Sequence, residues 1–124
     1  MTEVTLLLRQ IHPSFIKLGR PTSAAFRPTP KDEHKLSVYD GDMITAAASF
    51  AHYRGRKLES MGVLAVTVGE CARQDLPVRS SPEEFLEHAE IDFTGLGGNQ
   101  CEKKGKKLRD AAENRGWLHE ADRD

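Results

Sequence analysis

Alternation opens the chain. Val4, Leu6 and Leu8 occupy every second position of TEVTLLLRQI, which predicts a strand over 4–11 with one buried face, Arg9 lying on the face opposite Leu8. His12-Pro13 ends it, because proline pushes the preceding residue out of helix and has no N–H for a ladder. Residues 13–18, PSFIKL, predict one or two helical turns stopped by Gly19. Residues 22–27 read as a second extended segment, Pro28 and Pro30 hold the next loop extended, and 36–39 form a third short strand. Asp42 is placed to cap a helix over 43–54 that Gly55 stops. Ile44, Ala47, Ala48 and Ala51 would share its inner face, beside Met43, Phe50 and Tyr53, and the alanines predict close approach to a sheet.

The run GVLAVTVGE, 62–70, is apolar almost throughout and predicts a central strand covered on both faces. Ser81-Pro82-Glu83-Glu84 has capping-box spacing and predicts a short helix to about His88, and Ala89, Ile91 and Phe93 alternate in another strand. Gly95 to Gly98 is a flexible joint before a last helix that Asn99 caps and that ends near Gly116. Strands and helices do not alternate regularly, so the expected fold class is α+β. It is a single domain over 1–118, with a mixed or antiparallel sheet of about five strands, two main helices and a frayed tail over 119–124.

Composition narrows the classes. With 124 residues, 38% hydrophobic and 30% charged, the chain can bury one core. No apolar run reaches the ~18 residues that a membrane span needs, and at the start an acidic residue precedes a very short apolar run, without the basic region or small-residue cleavage site of a signal peptide. Cys71 and Cys101 have no CxxC partner and read as reduced thiols. The expectation is a cytoplasmic protein. Net charge is −1, unevenly spread: residues 58–93 carry eight acids and two bases. An acidic middle is not the basic field of a nucleic-acid binder, so nucleic acid is not the expected partner.

Several groups carry candidate chemistry. Gly95-Leu96-Gly97-Gly98 precedes a helix but lacks the spacing and Lys-Ser/Thr of a phosphate loop, and reads as a linker. His88, Glu90 and Asp92 share the face opposite Ala89, Ile91 and Phe93. Such a trio can bind a divalent metal or do acid/base work, or simply be wet; no metal and no cofactor is expected. Lys103, Lys104, Lys106 and Lys107 cluster on the last helix, as a solvated face or a contact for an acidic partner. The densest constellation is Arg9, His12, Arg20, Thr22, Ser23, Arg27, Lys31 and Asp32. If the first two extended segments pair, these side chains surround a pocket with fixed positive charge, suited to a phosphate or carboxylate. Equally, Thr22 and Ser23 can satisfy backbone groups in a turn, and Arg27 and Lys31 can pair with nearby acids.

HPSF, GRPTSAAFRPTPKDEHKLSVYDGD, GVLAVTVGE and HAEIDF resemble an uncharacterised family of small bacterial proteins, over most of residues 9–93. The resemblance implies an accessory or defence-type operon setting and brings no activity with it. A second resemblance is to ADP-ribosyltransferases of the Arg-Ser-Glu type, in which an arginine and a Ser/Thr strand hold NAD and a later glutamate activates the acceptor. Arg9, Thr22-Ser23 and Glu70 follow in that order here, without a Glu-x-Glu pair and on a chain that is small for the fold. The expected function is therefore a non-catalytic accessory or immunity-like binding protein that engages a protein partner or a small anionic ligand. The alternative is a small nucleotide-using enzyme with Arg9, Ser23 and Glu70 as ligand clamp, positioning group and general base.

Overall fold

The computed structural model describes residues 1–122. In chain order the strands are β1 (Leu6–Gln10), β2 (Ile16–Lys17), β3 (Arg20–Pro21), β4 (Lys35–Asp40), β5 (Gly62–Thr67), β6 (Val78–Ser80), β7 (His88–Asp92) and β8 (His119–Glu120). The α-helices are α1 (Ala46–Gly55), α2 (Val68–Arg73) and α3 (Gly98–Arg115), and short 3-10 turns lie at Pro13–Phe15, Ser23–Phe26 and Pro30–Asp32. The fold is α+β, as the sequence predicts. Six strands form one antiparallel sheet in the order β6-β7-β4-β1-β5-β8, and β2 with β3 makes a separate two-stranded ribbon.

Side-chain alternation divides the sheet into two faces. Leu7, Leu36, Val38, Leu64, Val66, Ala89 and Ile91 point to the side covered by α2, α3 and the 3-10 turn at Phe26. Leu8, Tyr39, Val63 and Ala65 point to the side covered by α1 and Phe85. The central strand β5 is thus buried on both faces, as its continuous apolar run predicts.

Several local expectations give way to competing hydrogen bonds. Residues 22–27 are not a strand: Ser23–Phe26 is a 3-10 turn with Ala25 and Phe26 buried under α3. It approaches so closely that a Cβ on Gly105 would lie 3.2 Å from the carbonyl oxygens of Ser23 and Phe26, which is why glycine sits mid-helix there. The apolar run of β5 stops at Thr67, because the Thr67 and Glu70 side chains reciprocally cap the start of α2. No helix follows Ser81; its N–H bonds the His88 carbonyl at 2.9 Å, which closes a β6–β7 hairpin loop in place of a helical turn. Thr45 rather than Asp42 caps α1. The inner side of α1 is Ala46, Ser49, Phe50 and Tyr53, while Ala47, Ala48 and Ala51 face outward. Alanine is too weakly apolar to set a helix's orientation against two aromatic rings. Gly97, not Asn99, caps α3. His119–Glu120, expected to fray, pair with β5 at Val63 and Gly62; the last two residues of the expected tail lie outside the described residues.

Candidate functional site: a cleft where β1 and β4 part

β1 pairs with β5 along its whole length, from Leu6↔Thr67 to Gln10↔Val63. With β4 it shares the register Leu7↔Asp40 and Leu8↔Tyr39, and then the two strands separate. Meanwhile β4 stays with β7 through Lys35↔Asp92. The sheet therefore splits at one end between Arg9-Gln10 and Ser37-Val38. A carbonyl left without its ladder partner must find another donor, and Arg9 supplies it: Nη1 donates to Ser37 O at 3.0 Å and Nε to Ala25 O at 2.8 Å. The Arg9 guanidinium also lies 5.9 Å from the Phe15 ring centroid.

The gap opens into a cleft of about 350 Å³, within the range of small-ligand sites. Arg9, Gln10, Ser37 and Tyr39 line its base, Tyr53 and Arg56 come from α1 and its C-cap, and Phe85 and His88 from the hairpin loop and β7. Burial lowers the Arg9 pKa, against the opposing pull of Tyr53 and Asp32. Among the described residues Arg9 makes no ion pair; its partners are neutral carbonyls. Arg56 stacks 5.2 Å over the Phe85 ring. Tyr39 Oη lies 2.7 Å from His52 Nδ1, and burial pushes the phenol up to about 12, although Arg56 pulls it the other way.

Two polar networks flank the cleft. Both ends of the Gln10 amide are engaged: its Nε2 donates to Ser49 Oγ at 3.0 Å, and its Oε1 accepts from Ser60 Oγ at 2.9 Å. It is structural. His88, 3% exposed, is held by Ser81 O on Nδ1 at 2.9 Å and by Ser37 Oγ on Nε2 at 3.0 Å.

Of the eight residues grouped from the sequence, Arg9, His12 and Asp32 line this cleft. His12 caps Ser14 N–H at 3.0 Å and stands 3.7 Å from Glu59, and Asp32 accepts from Thr29 N and Oγ1, both at 2.8 Å. Lys31 lies in an adjoining groove beside Ser37 and Glu90. The other four lie elsewhere. Arg20 forms a two-pronged bond to Glu113, which raises its own pKa and lowers that of Glu113. Arg27 lies 3.9 Å from Glu102. Thr22 Oγ1 donates to Phe15 O at 2.9 Å, the turn role weighed from the sequence, and Ser23 packs beneath α3. Glu70 does not line the Arg9 cleft. Burial pushes its carboxyl up, but bonds from Arg115 (3.0 and 3.1 Å) and from Thr67 outweigh that and hold it below the usual carboxylate range. Arg9, Ser23 and Glu70 are thus not gathered around this cleft.

No local sequence pattern marks Ser37, Tyr39, Tyr53, Arg56 and Phe85 as residues of one site. The sequence predicts that His88 heads a polar face shared with Glu90 and Asp92. That face exists, and Asp92, lowered mainly by its bonds to Thr94, lies 3.9 Å from Arg79. Among the described residues no group of three or more His, Cys, Asp or Glu side chains is arranged to hold a metal ion. On α3, Lys104 is drawn back to the Gln74 carbonyl while Lys103, Lys106 and Lys107 stay exposed. Among the described residues no helix is long and apolar enough to cross a membrane. No family model, curated protein or solved structure matches this chain.

Proposed function

We propose that this protein binds a small anionic molecule in the cleft between β1 and β4. The observation that carries the reading is the Arg9 guanidinium, partly buried and, among the described residues, in no ion pair, with Asp32 near enough to be felt but already bonded to Thr29. Removing a cation from water costs several kcal/mol unless a counter-charge restores it, and two neutral carbonyls do so incompletely. A phosphate or carboxylate in the cleft would complete the arrangement, with Arg56 as a second guanidinium and Tyr53 as a hydroxyl donor. Phe85 offers a flat apolar surface for the remainder of such a ligand. In a bacterial accessory or immunity-type setting, the protein would act through occupancy of this cleft.

The test is a thermal-shift and calorimetric titration with inorganic phosphate, citrate, ATP, NAD and ADP-ribose. A binder present at about 100 times its dissociation constant stabilises the fold by about 2.7 kcal/mol, several degrees in Tm. Arg56→Gln, on the exposed rim, should weaken that binder about tenfold or more with the unliganded Tm unchanged. Silence across the panel, or equal binding by Arg56→Gln, overturns the reading.

A further inference from the structure

We propose that Ser37 and His88 form a nucleophile–base pair that opens carboxylic esters bearing an anionic tail; the choice of substrate rests on the anion-binding reading of the cleft. The hydrogen bonds determine the tautomer. A carbonyl oxygen can only accept, so the contact with Ser81 O places the proton of neutral His88 on Nδ1. Nε2 is then an acceptor, and the Ser37 hydroxyl, 3.0 Å away, donates to it. Serine, imidazole and an orienting third group within hydrogen-bonding reach is the arrangement that activates a hydroxyl.

Burial is divided as the chemistry requires. His88 is enclosed, whereas Ser37 is exposed and borders both the Arg9 cleft and the adjoining groove. The pair lies on a rigid base, since Ser37 is opposite Glu90 and His88 opposite Tyr39 in the β4–β7 ladder. Arg9 is bonded to the Ser37 carbonyl, which brings a guanidinium beside the hydroxyl-bearing residue. The charged and titratable groups near His88 include Glu84, whose carboxylate is 4.0 Å from Nε2, Glu83 and Tyr39.

The step balances with water as the second reactant. Ser37 Oγ attacks the ester carbonyl carbon, and its proton passes to His88 Nε2. The tetrahedral adduct collapses, the bond to the alcohol oxygen breaks, and His88 gives that proton to the leaving oxygen. Water then attacks the Ser37 ester through the same base, releasing the acid and restoring the hydroxyl.

A neutral fluorophosphonate, followed by peptide mass mapping, tests the nucleophile apart from the anion site. The expected result is a phosphonyl adduct on Ser37 that is absent in Ser37→Ala, a change at an exposed position. His88→Gln should slow labelling about 100-fold or more, the usual range for loss of a general base. If folded wild-type protein carries no adduct on Ser37, the pair is overturned and anion binding stands or falls on its own titration. The second arm compares p-nitrophenyl acetate with its mono-succinate analogue. Faster cleavage of the succinate, with that preference lost in Arg56→Gln, supports the anionic substrate. Equal cleavage of both esters, unchanged by Arg56→Gln, overturns the anionic substrate while the nucleophile stands.

Discussion

On one face of the sheet, Leu7, Leu36, Leu64, Val66 and Ile91 meet Phe26, Phe93, Leu108 and Ala112 in a core that excludes water. On the other, Leu8, Val63 and Ala65 share their space with Tyr39, Gln10 and the rings of His52, Phe85 and His88. The first face is held by apolar area and close packing, and the second by hydrogen bonds that need particular partners. A polar face of this kind stabilises less per residue, yet it can leave donors and acceptors turned toward a cleft. The sheet opens at the end of β1 where Arg9 replaces a ladder bond.

The contrast can be broken most directly from the dry side. Phe26→Ala should cost about 3–5 kcal/mol in denaturant unfolding, because the cavity lies between α3 and the sheet. A cost below about 1 kcal/mol would mean that this face is not the main store of stability. Gly105→Val, which forces a branched side chain against the Ser23 and Phe26 carbonyls, should cost about 1–3 kcal/mol.

Changes on the polar face should be milder. Gln10→Leu should cost about 1 kcal/mol, since Ser49 and Ser60 keep other acceptors at Ala46 O and Gly62 O. A loss as large as that of Phe26→Ala would put the two faces on an equal footing. Tyr39 sharpens the comparison through pH. Its folded pKa, raised to about 12, lies above the unfolded value of about 10. The stability it contributes is therefore complete below about pH 10 and lost as pH rises toward 12. Spectrophotometric titration should show one late-ionising tyrosine that disappears in Tyr39→Phe.

The smallest effect is expected at Glu70, whose folded pKa is lowered. Its contribution is present above the unfolded value of about 4.3 and is lost as pH falls through the folded one. Glu70→Gln should flatten the acid limb of a stability–pH curve by less than about 1 kcal/mol at neutral pH, as its pair with Arg115 is partly solvated. An unchanged acid limb would show that other carboxylates set it.

Much of the dry face was legible in the sequence. The apolar run of β5 and the spacing of Ala89, Ile91 and Phe93 report burial, and burial follows from side-chain chemistry at period two; the alternation of Leu6 and Leu8 marks the other face, and Leu7 is the β1 residue that enters the dry core. The cleft was legible only in part. Arg9, His12 and Asp32 stood out as polar residues in an ordered stretch, but their neighbours Tyr53, Arg56 and His88 come from α1's end and β7, distant along the chain. No local pattern marks such a meeting. Arg20, Thr22, Ser23 and Arg27 lay close in sequence to Arg9, yet a 3-10 turn and α3 claim them instead.

By itself, then, the sequence determined that this chain is α+β, that β5 is buried on both faces and that β7 carries an apolar stripe, because these depend on periodicity. It did not determine the order β6-β7-β4-β1-β5-β8, the outward turn of the alanines of α1, or the parting of β1 from β4. Those were decided by competition among distant partners: a guanidinium took a ladder carbonyl, and two aromatic rings outweighed three methyl groups. The hydroxyl of Ser37 met a histidine 51 residues along the chain. Such contacts exist only once the chain has closed on itself.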